Sequence, residues 1–244
     1  CIRDRYWVHG NKIALITFYR ALVTSGNLKP IDALIKILLE QGINPLPVYV
    51  SSLKDQHSDE FIKEVTLKLD ISVVLNTTAF AVSSTESPAK TGPFRNTDCP
   101  VFQLILSSSE KDTWLASPTG LSPRDIAMNV ALPEVDGRLI SRAVSFKSSA
   151  EYDRKTQCSI VTYEPVRDRI SFVVNLIKSW IKLRDTPANK KRLAIILSNY
   201  PNKDSRIANG VGLDAPASTI GLLQALAGAG YDIGEAPAAP TSPE

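Results

Sequence analysis

The sequence is poor in the residues that form disulfides and metal sites. Its 244 residues include three cysteines and two histidines. Cys1, Cys99 and Cys158 are odd in number and unrelated in spacing, so neither a disulfide framework nor a thiolate zinc site is expected. His9 and His57 lie far apart in predicted loops and are interpreted as surface residues, with His57 kept as a candidate metal ligand.

Two motifs of common enzyme classes are also missing. The sequence has no G-x-x-x-x-G-K-[ST] loop, so the chain is not expected to hydrolyse ATP itself. It has no G-x-S-x-G turn either, which argues against a hydrolase of that class.

Neither charge nor hydropathy indicates nucleic acid or a membrane as a partner. The net charge is +3 and the basic residues are scattered. No apolar run approaches the roughly 18 residues that a membrane span needs, and no signal peptide opens the sequence, so a cytoplasmic location is expected by default. The sequence begins with Cys1 and ends in the Pro- and Ala-rich residues 236–244, which predicts a piece of a longer chain.

What the sequence does contain is an alternation of strand and helix patterns. Continuous apolar runs typical of strands buried on both faces cover residues 12–18, 46–50 and 71–75. Helices with an apolar face are predicted between them, over residues 30–41 and 58–69. This β-α-β-α-β order predicts an α/β fold with a doubly wound, mostly parallel sheet of the flavodoxin or Rossmann type.

The later elements continue this pattern. Strands are predicted at residues 101–106, 139–146 and 156–163, and helices at 122–131 and 166–183. Residues 193–197, as a strand, and a helix over 216–227 would start a second α/β unit. We therefore predict one domain over residues 11–185 and the start of another over 191–244. Residues 77–99, rich in Ser, Thr, Pro and Gly, predict a lid or binding loop within the first domain, or a flexible connection.

Polar residues follow the predicted strands. In a parallel sheet these positions share the carboxyl edge, where ligands bind in the crevice between strands. The alternative is that loops are polar whether or not they bind anything. The candidate ligand contacts at this edge are Arg20, Ser51, Asn76, Thr77 and Ser107.

The strongest single candidate site is the segment Ala131-Leu-Pro-Glu-Val-Asp-Gly-Arg138. Its predicted bend would turn Glu134 and Asp136 toward one cavity, as hard oxygen ligands or as proton acceptors. The alternative is a surface turn built from Pro, Asp and Gly. The basic residues Arg142 and Lys147 nearby could pair with these carboxylates or hold acidic groups of a substrate.

A second glycine-containing segment precedes the last predicted helix. Gly210-Val-Gly212-Leu-Asp214 matches a loose form of the dinucleotide fingerprint. The match is weak evidence for dinucleotide binding, because about a dozen residues separate the segment from the preceding predicted strand, where a tight turn is required. The segment could bind carboxylates, amides or phosphates at the helix N-terminus, or Asp214 could simply cap the helix.

Several of these segments together resemble one family. The resemblance covers about residues 11–233, and the motifs occur in the same order as in the large subunit of ATP-dependent cobalt chelatase, which is related to the large subunit of magnesium chelatase. The segments that carry it are Phe18-Tyr-Arg20, Val50-Ser-Ser-Leu-Lys-Asp55, Val74-Leu-Asn-Thr-Thr-Ala-Phe80, residues 121–138, Ala143-Val-Ser-Phe-Lys147, Asn199-Tyr-Pro-Asn-Lys-Asp204 and residues 209–218.

The resemblance implies insertion of Co(II) into the corrinoid tetrapyrrole precursor hydrogenobyrinic acid a,c-diamide, in cobalamin biosynthesis. The implied partners are an AAA-type ATPase subunit and its companion subunit, which would bind ATP with Mg in place of this chain. Two alternatives stay open: magnesium insertion into protoporphyrin IX, and a non-catalytic domain that binds tetrapyrrole or partner subunits. A piece of such a chain is expected to be inactive alone.

The resemblance also suggests roles for the candidate residues. Glu134 and Asp136 would take protons from the pyrrole nitrogens or hand over Co(II). The metal ligands stay unknown, with Glu134 or His57 as candidates. The residues expected to hold the carboxylates and amides of the substrate are Arg20, Ser51, Asn76, Thr77, Ser107, Arg138, Asn199 and Asp214.

Overall fold

The computed structural model describes residues 6–83, 92–95, 97–148, 151–197 and 212–234. Of the predicted loop 77–99, residues 84–91 and 96 lie outside the described residues. The chain divides into two compact units, residues 1–181 and 182–244. The domain limits 11–185 and 191–244 stay a prediction. No helix in the described ranges has the length and apolar character needed to cross a membrane.

The first unit is built on a six-stranded sheet of order β2-β1-β3-β4-β5-β8. Its first five strands are parallel, and β8 adds to one edge antiparallel to β5. Strands β6 and β7 form a separate antiparallel pair. In chain order the strands of the described residues are β1 (Ile13–Tyr19), β2 (Asn44–Val50), β3 (Ile71–Asn76), β4 (Val101–Glu110), β5 (Leu139–Lys147), β6 (Glu151–Asp153), β7 (Cys158–Ile160) and β8 (Tyr163–Pro165).

Helices cover both faces of this sheet. Those that begin in the first unit are α1 (Arg20–Thr24), α2 (Lys29–Glu40), α3 (Gln56–Lys68), α4 (Lys111–Ala116), α5 (residues 123–135) and α6 (Arg167–Asp185). The described residues of the second unit contain α7 (Ala215–Gly228) and a short 3-10 turn at Ala188–Lys190. The predicted α/β fold with a doubly wound, mostly parallel sheet is confirmed. The order 2-1-3-4-5 is the flavodoxin-like one, which places a ligand crevice at the carboxyl ends of β1 and β3.

Strand β1 shows why both faces need helices. Its alternate residues Ala14 and Ile16 belong to the core under α2 and α6, whereas Leu15 between them packs with Ile62 of α3 on the opposite face. Successive side chains of a strand point to opposite faces, so a run of apolar residues is stable only between two covering layers. Among the polar residues of the central strands, Thr17 and Asn76 lie near the carboxyl ends of β1 and β3.

The helix α5 is longer than predicted. It runs on as α-helix Pro123–Ile126, π-helix Ala127–Ala131 and α-helix Leu132–Val135, instead of ending near Ala131. Pro133 lacks the N–H of a regular helical residue, and its ring would crowd the carbonyl four residues earlier. The wider π turn that precedes Pro133 accommodates it, so the helix continues to Val135.

Two strand predictions are corrected. The predicted strand 156–163 is two short strands, β7 and β8, which pair with different neighbours. Residues 193–197 are extended without forming a strand, and the side chain of Ile196 is 92% exposed. A strand needs a hydrogen-bonded neighbour, and the described residues of the second unit supply none. The helix predicted over 216–227 is found as α7.

Candidate functional site at the carboxyl edge of the sheet

A buried network of polar side chains joins the carboxyl ends of β1 and β3 to the start of β4. Thr17 of β1 donates from Oγ1 to Oδ1 of Asn76 at the end of β3, at 2.7 Å. The Asn76 amide nitrogen donates to Oε1 of Gln103 on β4 at 2.7 Å and to the carbonyl of Thr78 at 2.9 Å. Asn76 and Gln103 are fully buried. Buried polar groups cost stability when they are unpaired. These mutual hydrogen bonds therefore hold β1, β3 and β4 together at this level of the sheet.

Arg138 extends the network to the turn after α5. Its side chain is 2% exposed and donates from Nη1 to Oε1 of Gln103 at 3.0 Å and from Nη2 to Oδ2 of Asp136 at 2.6 Å. Burial lowers the pKa of the Arg138 guanidinium, and the carboxylate of Asp136 opposes that shift. Arg138 thus acts as an internal brace between β4 and the turn.

Asp136 is surrounded by donors. Its carboxylate accepts the backbone N–H groups of Val82 at 2.8 Å and Ser83 at 2.9 Å, the Ser83 hydroxyl, and Arg138. Burial acts to raise the pKa of Asp136, but the hydrogen bonds from Ser83 and Val82 and the charge of Arg138 outweigh it, so the pKa is lowered. The carboxylate therefore anchors the segment that follows β3.

Glu134 does not share this environment. It lies on the last turn of α5 with an exposed side chain, and the bend that follows it is made by Gly137 at φ +72°. The Gly137 N–H donates to the Glu134 carbonyl at 2.9 Å and closes the turn. The expected convergence of Glu134 and Asp136 on one cavity is therefore wrong, because one carboxylate lies on the helix surface and the other is enclosed.

A cleft of about 240 Å³ opens at the same edge of the sheet. Its walls come from the carboxyl ends of β1, β4 and β5, the segment after β3, helix α5 and strand β8. This is the position at which a flavodoxin-like sheet offers a crevice. Its polar lining residues are Tyr19, Thr77, Ser108, Arg124, Asp125, Asn129, Lys147 and Tyr163.

Asp125 builds one wall of this cleft. It is 2% exposed, and its carboxylate accepts the hydroxyl of Ser107 at 2.8 Å and the backbone N–H of Ser108 at 3.0 Å. Asn129, one helical turn further along α5, donates to it at 3.3 Å. Asp125 thereby fastens α5 to the end of β4, and its oxygens are already occupied by protein donors.

The two tyrosines of the cleft are neutral donors at physiological pH. Burial raises the pKa of both Tyr19 and Tyr163 above the ordinary value of 10.0. The Tyr19 hydroxyl donates to the carbonyl of Ala79 at 3.2 Å. Tyr163 also senses the negative charge of Asp125, which raises its pKa further.

Arg124 and Lys147 are the cations of the cleft. Arg124 is exposed on the first turn of α5, and Lys147 is half-buried at the end of β5. Neither side chain makes an ion pair or hydrogen bond with any residue in the described part of the chain. With these two cations against the single carboxylate of Asp125, the lining carries an excess of positive charge.

The structure separates the residues that the sequence indicated as substrate contacts. Asn76, Ser107 and Arg138 are buried, and their polar groups contact protein. Thr77 lines the cleft, with its hydroxyl donating to the Thr17 carbonyl at 3.0 Å. Arg20 is exposed on α1.

Four other residues that the sequence indicated are not in the described lining of the cleft. Ser51 is exposed after β2, and His57 is exposed on the first turn of α3. Asp214 caps α7 in the second unit by accepting the Ala217 N–H at 3.0 Å, as the capping alternative expected. Asn199 lies outside the described residues. In the described ranges no three His, Cys, Asp or Glu side chains are grouped so that they could hold a metal ion.

The sequence indicated Thr77 and Lys147 of the cleft lining but not Arg124, Asp125 or Tyr163. The Ser122-Pro-Arg-Asp125 motif predicts a helix start, and Ser122 does cap α5 by accepting the Asp125 N–H at 3.1 Å. The same motif places Arg124 and Asp125 in the cleft. Tyr163 gave no sequence signal, because its position depends on the antiparallel addition of β8.

A larger groove of about 830 Å³ lies beside the edge strand β2. Its lining is mainly apolar and comes from residues 6–7, α2, β2 and α3, with Tyr49 and Phe61 more than half exposed. Trp7 closes one end by donating from its indole N–H to the Pro45 carbonyl at 2.8 Å. The groove offers few polar groups that could orient a ligand, so the carboxyl-edge cleft is the better candidate for specific chemistry.

Comparison with known proteins agrees with this architecture. The catalytic subunit of cobaltochelatase from Mycobacterium tuberculosis superposes with a TM-score of 0.74 and 31% sequence identity, over 92% of this chain and 19% of that one. Among relatives, the aerobic cobaltochelatase subunit CobN of a Sinorhizobium species is 47% identical over 91% of the chain. The CobN subunit of Pseudomonas aeruginosa is 40% identical over 96% of it.

The chain spans about a fifth of the length of these proteins, 18% and 19% of the two CobN subunits. A magnesium-chelatase subunit from Chlorobaculum parvum is 25% identical over 94% of the chain. Residues 3–243 match the model of the CobN/Magnesium Chelatase family. The chain therefore belongs to the CobN/magnesium chelatase family.

Proposed function

We propose that this chain is part of the large subunit of a cobalt chelatase, which inserts Co(II) into hydrogenobyrinic acid a,c-diamide. The observation that carries the proposal is the 47% identity to a cobaltochelatase subunit, against 25% to a magnesium-chelatase subunit over a similar span. Cobalt is the substrate metal here, and the corrinoid tetrapyrrole is its acceptor.

Insertion of Co(II) into the corrinoid displaces the proton that the inner ring nitrogens carry in the metal-free form. A proton acceptor must therefore lie near the ring, and a carboxylate within hydrogen-bonding reach can serve. Of the two carboxylates near residue 135, Glu134 is exposed and can accept a proton or pass on the metal. Asp136 is enclosed by four protein donors and supports the site indirectly.

ATP hydrolysis belongs to other subunits in this proposal. The sequence carries no G-x-x-x-x-G-K-[ST] loop, so we assign the nucleotide and its Mg to an AAA-type ATPase subunit and its companion subunit. The part of the large subunit described here would then bind the periphery of the tetrapyrrole while the remaining four-fifths completes the chelation site.

A second candidate is a non-catalytic domain that binds tetrapyrrole or docks the partner subunits. The observation in its favour is that the described residues hold no cluster suited to a metal ion. In this case the carboxyl-edge cleft would contribute affinity without taking part in proton transfer.

The test is metal insertion by the full-length subunit with its ATPase partners, followed by the change in ring absorbance. We expect ATP-dependent insertion of Co(II) into the corrinoid, without Mg(II) insertion into protoporphyrin IX. The reverse preference would identify a magnesium chelatase. Glu134→Gln should lower the rate by about 100-fold if Glu134 is the proton acceptor. An unchanged rate with Glu134→Gln would favour the non-catalytic role.

A further inference from the structure

We propose that the carboxyl-edge cleft binds one peripheral carboxylate of the tetrapyrrole, through Arg124 and Lys147. The inference rests on the proposed function for the identity of the ligand. It assigns a binding role to two cations that no motif indicated together, and it specifies which part of the ligand enters.

The size of the cleft decides which part of a ligand fits. Pockets that enclose whole small molecules are typically about 300–1,000 Å³. At about 240 Å³ the cleft is too small for a macrocycle and large enough for an acidic side chain attached to one. The ring itself would remain outside the cleft.

The charges of the lining favour an anion. Arg124 and Lys147 have no carboxylate partner among the described residues, and Asp125 is committed to Ser107 and Ser108. A carboxylate between the two cations would form charge-assisted hydrogen bonds, which are stronger than those between neutral groups. An amide in the same place would gain much less.

The supporting residues keep the cleft in shape before a ligand arrives. Asp125 and Asn129 fasten α5, which carries Arg124, to the end of β4. Lys147 ends β5, which pairs with β8 at Tyr163. The Tyr163 hydroxyl stays protonated because burial raises its pKa, so it adds a neutral donor to the lining. Such pre-formed sites lose little entropy on binding.

The experiment measures binding of the corrinoid to the full-length subunit without metal, by absorbance titration. The variants are Arg124→Gln and Lys147→Met, with Arg124→Lys and Lys147→Arg as conservative partners. Matched controls are Arg167→Gln, which removes an exposed arginine paired with Glu40, and Lys178→Met, which removes an exposed lysine of α6. Neither control residue lines the cleft.

We expect each cleft variant to raise the Kd for hydrogenobyrinic acid a,c-diamide by about five- to tenfold, as the loss of one partly exposed charge-assisted contact predicts. The conservative variants and both controls should stay within about twofold of the wild type. A corrinoid whose peripheral acids are all amides should bind the wild type more weakly and be insensitive to the cleft variants.

The outcomes separate the two proposals. If the wild type binds hydrogenobyrinic acid a,c-diamide and the cleft variants bind it equally well, the cleft assignment is wrong and the proposed function stands. If the fully amidated corrinoid binds the wild type as tightly as the a,c-diamide and is weakened equally by the cleft variants, the cleft does not recognise a carboxylate and the assignment to a ring carboxylate is overturned. If the wild-type subunit binds no tetrapyrrole, both proposals fail.

Discussion

Arg138 and Asp136 form a buried ion pair with a distance of 2.6 Å between Nη2 and Oδ2, and their side chains are 2% and 12% exposed. The pair joins the end of α5 to β4 through Gln103 and to the segment after β3 through Val82 and Ser83. The positions of these three parts of the chain, which are distant in sequence, therefore depend on one pair of charged side chains. Their separate substitution should reveal that dependence.

The substitution Asp136→Ala should loosen the segment after β3. It leaves Arg138 buried without a carboxylate and the N–H groups of Val82 and Ser83 without an acceptor. Breaking a buried pair by removing one partner costs about 3–5 kcal/mol. Hydrogen exchange of the full-length subunit should show faster exchange at Val82 and Ser83, and Glu134→Ala, which removes an exposed carboxylate, should not. Equal protection in both variants would contradict the anchoring role.

The protection by Asp136 should be independent of pH down to the acid range. Its native pKa lies below the ordinary value of 3.8, so its stabilising contribution is complete above that value and disappears as the pH falls through the lower native pKa. We therefore expect equal protection of the Val82 and Ser83 amides at pH 5 and pH 7, after correction for intrinsic exchange. A loss of protection between these two values would mean that the carboxylate is not enclosed as described.

The substitution Asp125→Ala should disturb the cleft rather than the sheet. It removes the acceptor of the Ser107 hydroxyl and the Ser108 N–H, each loss costing about 1–3 kcal/mol when the donor remains buried. Exchange at Ser108 should accelerate and corrinoid binding should weaken. Asp125→Asn, which keeps one carbonyl acceptor, should show a smaller effect, and core amides of β1 should be unaffected in both variants.

The substitution Gly137→Ala should raise the energy of the turn after α5 through its backbone alone. Gly137 has φ +72°, and an added Cβ would meet no atom within 4 Å. The left-handed conformation costs a residue with a Cβ about 1–2 kcal/mol. Gly137→Asn should be tolerated better, since asparagine is enriched in this region. Faster exchange of the residue 137 amide in the alanine variant than in the asparagine variant would support this account.

The sequence predicted those features that depend on local patterns. The spacing of Ile170, Val173 and Ile177 indicated the buried face of α6, and all three are fully buried. The alternation of strands and helices predicted the α/β class. These features follow from side-chain periodicity, which one segment carries by itself.

Features that depend on partners distant in sequence were not predictable. The enclosure of Asp136 needs Ser83 and Arg138 at once, and a Pro-Asp-Gly composition is equally typical of an open turn. The π segment in α5 precedes a further helical turn past Ala131, so Glu134 lies on a helix instead of in the predicted bend. The extended residues 193–197 show the converse, since an apolar run of strand length forms no strand without a neighbour.

The edge strand β2 has a further consequence for whether a strand of another molecule could pair with it. The Asn44 N–H donates to the Lys12 carbonyl, on the side of β2 that pairs with β1. Backbone N–H groups alternate between the two sides of a strand, so those of the odd-numbered residues of β2 point away from the sheet. Two of these residues, Pro45 and Pro47, have no N–H to offer. Of the odd-numbered residues of β2, Tyr49 therefore remains to donate a backbone N–H to a strand of a neighbouring molecule on this side of the described sheet. The prolines act as a chemical stop against growth of the sheet from chain to chain, even though the adjacent surface is apolar.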